Sequence, residues 1–237
     1  AWTKDAFEGF MMANNFLRTY TTTAIQAALF NGADRARIGR LKWIYVRKIA
    51  SLKPIKIVWP ADFDETFIAS VDGTHAQTNE PRDPDMRKNP KNYSHKFHMP
   101  GRNFEIVLDL WRNRCILAKV GDQGSVHDLT VFRMELTNLI PAGKRVIADR
   151  GYISSLNDEH LKLSTPNPLD SAELKEFKSK GRARHERFNG LLKIYKVLND
   201  RFKEGIDKLQ LCFDAVLVIT QYAIEDTSPV GQNLMVL

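Results

Sequence analysis

Two short apolar runs, each ending in an aspartate, constrain this chain more than any other feature. The first is Phe67-Ile68-Ala69-Ser70-Val71, followed by Asp72-Gly73-Thr74-His75. The second is Arg145-Val146-Ile147-Ala148, followed by Asp149-Arg150-Gly151-Tyr152. A brief apolar run bounded by turn residues reads as a buried β-strand. Each aspartate is therefore expected at or near the C-terminal end of a strand. Strand ends in open α/β sheets are rigid and face a cleft. A carboxylate there is costly to bury unless it is paired or holds a metal. Alone, either segment reads equally well as an aspartate opening a turn. Two such ends, 77 residues apart, make the stronger pattern.

The segments around and between them set the fold class. Residues 103–110 and 114–120 read as strands joined through Trp111-Arg112-Asn113, a link short enough for a hairpin. Ser125 or Asp122 is placed to cap a helix through Val126, Leu129, Phe132 and Leu136. The order strand, hairpin, helix, strand predicts an α/β fold with a mixed sheet flanked by helices, in which Asp72 and Asp149 are neighbours. Upstream, 5–30 reads helical, with Thr21-Thr22-Thr23 interrupting it or capping a second helix. Residues 33–52 form a basic amphipathic helix, read either as a nucleic-acid surface or as a solvated face. The polar stretch 76–96 reads as a functional or mobile loop, and 153–174 as irregular. An apolar helix through Leu209, Cys212, Val216, Ile219 and Tyr222 closes the core, and 226–237 reads as a tail.

Charge narrows the function. The net charge is +7 and the pI about 9.4, which favours an anionic partner. Residues 175–203 hold ten Lys/Arg against three Asp/Glu, so the excess is local. A helix from about 182 fits this stretch, with Phe188, Leu191, Leu192, Tyr195 and Leu198 buried and Arg182, Glu186, Gly190 and Lys193 opposite. Glu186 is the odd acid in a cationic stripe. It reads as an ion-pair partner of Arg182 or as a third carboxylate of a metal cluster. Cys115 and Cys212 lie in apolar runs and read as buried, reduced thiols of an intracellular protein. No run reaches the ~18 apolar residues of a membrane span, so no membrane partner is expected. The chain starts without Met, as a fragment would.

Three motifs now stand in order: Val71-Asp72-Gly73-Thr74-His75, Ala148-Asp149-Arg150-Gly151-Tyr152, and Arg182-x-x-x-Glu186-x-x-x-Gly190-x-x-Lys193. Gly124-Ser125-Val126-His127-Asp128 and Phe132-Arg133 lie between them. Together with Leu163-Ser164-Thr165-Pro166, they resemble the DDE nuclease domain of PIF/Harbinger-type transposases and their domesticated relatives, within the ribonuclease-H-like superfamily. The resemblance runs from about 66 to 203. Phe188 sits one place earlier after Glu186 than the family's usual aromatic, and no separate DNA-reading helix-turn-helix is evident in 1–60.

The resemblance implies a helical flank over 1–65, a DDE endonuclease domain over 66–205, and a C-terminal helix and tail over 206–237 packing on it. It implies metal-dependent hydrolysis of DNA, with strand transfer in a full transposase. Asp72, Asp149 and Glu186 would be the catalytic carboxylates and hold two Mg²⁺ or Mn²⁺ ions, which suits phosphodiester chemistry. Asp72 would bridge the ions, Asp149 would bind one and Glu186 the other. His127, Asp128 and Asp109 are candidates for support from behind the carboxylates. Lys178, Lys180, Arg182, Arg184 and Lys193 are the expected phosphate contacts. A separate DNA-binding subunit and oligomerisation are compatible partners, and the nucleus the expected location in a eukaryote. The rival reading is a domesticated, inactive DNA- or protein-binding scaffold. His95 and His98 have zinc-like spacing without matching cysteines, and Tyr152 is open between stacking on a base and packing under its loop.

Overall fold

The computed structural model describes residues 3–80, 83–94, 98–119, 122–123, 128–134, 136–153 and 157–226. Three helices come first: α1 (Lys4–Thr19), α2 (Thr23–Leu29) and α3 (Arg35–Ala50). Each opens on a side chain, Thr3, Thr22 or Asp34, that accepts the backbone N–H three residues on, satisfying a donor the helix cannot. The threonine run separates α1 from α2, and Tyr20 ends α1 in a left-handed conformation. The short α4 (Lys53–Lys56) leads to β1 (Phe67–Gln77). Then follow α5 (Pro84–Lys88), β2 (Gly101–Asp109), β3 (Cys115–Ala118), β4 (Asp122–Gln123), α6 (Asp128–Met134), α7 (Leu136–Leu139) and β5 (Arg145–Ile147). The chain closes with α8 (Asn157–His160), β6 (Leu163–Ser164), α9 (Ala172–Lys193), α10 (Lys196–Asn199) and α11 (Ile206–Asp226).

The sheet order is β3-β2-β1-β5-β6, with β4 also pairing β2. β1, β2 and β3 form an antiparallel meander, and β5 and β6 run parallel to β1. This mixed sheet, flanked by helices, is consistent with the ribonuclease-H-like α/β fold that the sequence pattern predicts. Alternation along the strands builds a core on each face. Phe104, Ile106 and Leu108 of β2 pack with Phe16 of α1, Val46 of α3 and Phe213 of α11. Val71, Val107 and Ile116 pack on the other face with Phe132, Leu136 and Tyr152. Among the described residues, no helix is long and apolar enough to cross a membrane.

Three local expectations are corrected. β1 does not end at Asp72 but continues to Gln77, because β2 pairs with it residue for residue as far as Gln77↔Gly101. Asp72-Gly73 is thus an in-strand pair rather than a turn. The stretch 153–174 is not irregular throughout: it holds α8 and β6, a further parallel strand. The basic helix begins at Ala172, well before 182, because Ser171 caps it through the Leu174 N–H.

Candidate active site

Asp72 lies on the same face of β1 as Ser70, by the two-residue period of a strand. The parallel pairing of β1 with β5 ends at Ser70↔Ile147. Asp72 and Asp149 each lie two residues beyond that last pair, Asp72 still in β1 and Asp149 past the end of β5. Asp72 Oδ1 accepts its neighbour Gly73 N–H at 2.8 Å, and Oδ2 accepts the Asn189 side-chain amide at 3.2 Å. Asp149 has left the strand. Its Oδ1 accepts the Gly151 N–H at 2.7 Å and caps the 3₁₀ turn Arg150–Tyr152.

α9 lies along β1 and runs in the same direction, held by one polar contact per turn. His185 Nδ1 is 3.1 Å from Ser70 Oγ, Asn189 meets Asp72 one turn on, and Lys193 Nζ donates to the His75 carbonyl a turn later. Burial pushes the His185 imidazole down to about 3, so the ring is neutral where it meets Ser70. Glu186 is three residues before Asn189 on a neighbouring flank of α9, within one turn of it. It is exposed, and among the described residues it forms no ion pair with Arg182.

Among the described residues, no three His, Cys, Asp or Glu side chains converge closely enough to hold a metal ion. Asp72 and Asp149 sit on neighbouring strand paths, but Asp149 is turned toward its own 3₁₀ cap and Glu186 faces solvent. The donor chemistry nevertheless fits a hard divalent cation, which takes oxygen ligands. Asp72 accepts from the Gly73 N–H and the Asn189 amide and Asp149 from the Gly151 N–H, all neutral donors, and a carboxylate oxygen has two lone pairs.

Asp109, expected near these carboxylates, belongs elsewhere. It pairs with Ala69, three residues along the sheet from the Asp72↔Ile106 pair. Its Oδ1 accepts the Trp111 and Arg112 N–H groups at 2.9 and 3.0 Å, and Oδ2 meets Arg114 Nε at 3.1 Å. Asp109 is a buried cap of the β2–β3 turn. His127 lies outside the described residues, as does the side chain of Asp128, which opens α6. Tyr152 is buried edge-on to Phe132, so it packs beneath its loop. His95 also lies outside the described residues, while His98 is exposed. Both cysteines are buried free thiols.

The expected cationic stripe is not continuous. Lys178 is 4% exposed, and its Nζ meets Asp170 at 2.7 Å and the Thr165 carbonyl at 2.8 Å. Arg184 donates to the carbonyls of Leu110, at 2.7 Å, and Arg112. Lys193 also turns inward, because α9 is buried along Gly181, His185, Phe188 and Leu192, with Lys193 beside that strip. Lys180 pairs with exposed Glu176 at 2.8 Å, and Arg182 Nε is buried without a partner among the described residues. Arg187, Lys196, Arg201 and Lys203 are exposed, with no ion-pair partner among the described residues.

Two residues near the carboxylates escape a reading by motif. Asn189 is neutral, and its only signal was its place one turn after Glu186. Glu105 is 4% exposed, faces Gly73 across the β1–β2 pair and accepts the Tyr152 hydroxyl at 3.3 Å. Its signal was a charge within the apolar run Phe104-Glu105-Ile106-Val107. It lies on the sheet face opposite Asp72.

A family model described as DDE superfamily endonuclease matches residues 71–221, a span that contains Asp72, Asp149, Glu186 and Asn189. Comparison with curated proteins and with solved structures returned no match.

Proposed function

Because this chain belongs to the DDE superfamily endonuclease family, we propose that it is a divalent-metal-dependent DNA endonuclease of PIF/Harbinger transposase descent, using Asp72, Asp149 and Glu186. The observation that supports this reading is the meeting of three elements at Asp72. Asp149 follows β5, the strand parallel to β1, two residues beyond their last pair, and Asn189 ties to Asp72 the turn of α9 that bears Glu186.

Asp72 and Asp149 would hold Mg²⁺ or Mn²⁺, with Glu186 reaching in from α9. The bound ions would supply Lewis-acid stabilisation of charge on the phosphoryl oxygens and lower the pKa of water. The chain's own part is to present carboxylates from a rigid sheet, so that orientation is set before substrate arrives. The neutral His185–Ser70 contact keeps α9 against β1 without adding a competing cation. Exposed Arg187, Lys196, Arg201 and Lys203 would meet DNA phosphates.

One observation favours the scaffold reading: the absence of a three-ligand cluster among the described residues. An inactive descendant would bind DNA or protein without cutting. Nicking of labelled duplex with Mg²⁺ and with Mn²⁺ separates the two, with Glu186→Gln as control. Metal-dependent nicks that vanish in the variant support the endonuclease. No nicking by the wild type, despite measured metal binding, favours the scaffold.

A further inference from the structure

We propose that Asn189 is a positioning residue whose side-chain amide holds Asp72 in the orientation that binds a divalent cation. The inference rests on the reading of Asp72 as a metal ligand.

A carboxylate only accepts hydrogen bonds, so the Asn189 atom 3.2 Å from Asp72 Oδ2 must be the donating NH₂. The other end of the amide is constrained too. Asn189 Oδ1 is buried and has no partner among the described residues. Exchanging the two ends would set an acceptor against a carboxylate, so Asp72 itself fixes which way the amide points. The Gly73 contact is local to Asp72; the Asn189 contact comes from another element.

The base of this contact is rigid. One turn earlier His185 is 2% exposed and meets Ser70; one turn later Lys193 meets the His75 carbonyl. Asn189 is therefore held between two fixed points and does not search for Asp72. Its neutrality matters as much as its place. A lysine or arginine here would orient Asp72 but also set a positive charge against it, whereas the amide adds no charge of its own. The same contact fixes the approach of Glu186, one turn back on α9.

The test uses metal-free full chain, titrated with Mn²⁺ and read by electron paramagnetic resonance of the free ion. Thermal melts of the metal-free proteins run alongside. Asn189→Leu keeps the approximate volume and removes the donor. Losing a hydrogen bond to a charged group should weaken Mn²⁺ binding about tenfold, with the melting temperature nearly unchanged. Asn189→Gln, which keeps an amide, should recover most of the affinity. Binding by N189L within about twofold of wild type overturns the proposal, by the same conversion of affinity to free energy. So does equal loss of affinity and melting temperature in N189L and N189Q, the mark of a packing role. No Mn²⁺ binding by the wild type overturns the metal-site reading itself, a result distinct from equal binding by wild type and N189L.

Discussion

The ammonium of Lys193 is turned inward onto Leu198, donating to its carbonyl oxygen at 2.9 Å, and donates also to the carbonyl of His75. It thereby fastens the last turn of α9 to both β1 and α10. Burial pushes the amine down to about 8 from its ordinary 10.5. Between those two values the unfolded chain binds more protons than the folded one, so the contribution of this group to stability rises with pH across that window. Below about 8 the cost of burying the charge is fully present. Lys193→Met should remove the rise. Its destabilisation, measured by urea unfolding, should be smaller near pH ~7 than near pH ~10. Parallel pH profiles for the two proteins would show that Lys193 does not titrate in this range.

Exposed cations, rather than all cations of the basic segment, should set the salt dependence of DNA binding. Arg187, Lys196, Arg201 and Lys203 are exposed. Neutralising each one that meets a phosphate should lower the slope of log K against log salt by about 0.9. Fluorescence anisotropy on a labelled duplex at several salt concentrations measures this. An unchanged slope after all four are replaced would remove this surface from the DNA path.

Lys178 should behave in the opposite way. Its side chain is 5% exposed and pairs with an Asp170 side chain 11% exposed. Breaking a buried pair strands the remaining charge, and for a pair at the rim of the core on the order of 2 kcal/mol is expected. Lys178→Met should therefore lower the melting temperature while leaving the salt slope of DNA binding in place. A reduced slope with normal stability would return Lys178 to the phosphate contacts.

Those contrasts show which parts of the structure were legible in the sequence. The strand, hairpin, helix and strand order follows from local apolar patterning, and that patterning also carried the sheet class. The continuation of β1 past Asp72 was hidden because it depends on pairing with β2, a non-local fact that Asp72-Gly73-Thr74 argues against locally. β6 is only two residues long, too short for any period to register. On α9 the helical wheel found a basic helix but not its start at Ala172, and gave the wrong fate for several of its cations. Long side chains such as Lys178, Arg184 and Lys193 reach back to carbonyls and carboxylates of other elements, and no spacing rule encodes that. Asn189 was missed for a related reason: it is neutral, and its significance comes only from the register of α9 on β1.

The register of α11 against the sheet leads to the last prediction. Phe213 of α11 stacks on Phe104 of β2 with centroids 3.9 Å apart and planes 13° from parallel. Both rings are essentially buried, and α11 also buries Leu209, Cys212, Val216 and Leu217 in the same core. Deleting a buried Phe side chain costs about 3–5 kcal/mol. Phe213→Ala should fall in that range by urea unfolding, whereas Leu169→Ala, at a residue 91% exposed, should be nearly neutral. A chain ending at residue 205 would leave Phe104, Ile106 and Leu108 of β2 without their cover on that face. It should therefore fail to give a cooperative melt, although it keeps Asp72, Asp149 and Glu186. A cooperative melt and native-like circular dichroism from that shortened chain would show that the sheet and α9 fold without α11, and that the C-terminal helix is an addition to a self-sufficient unit.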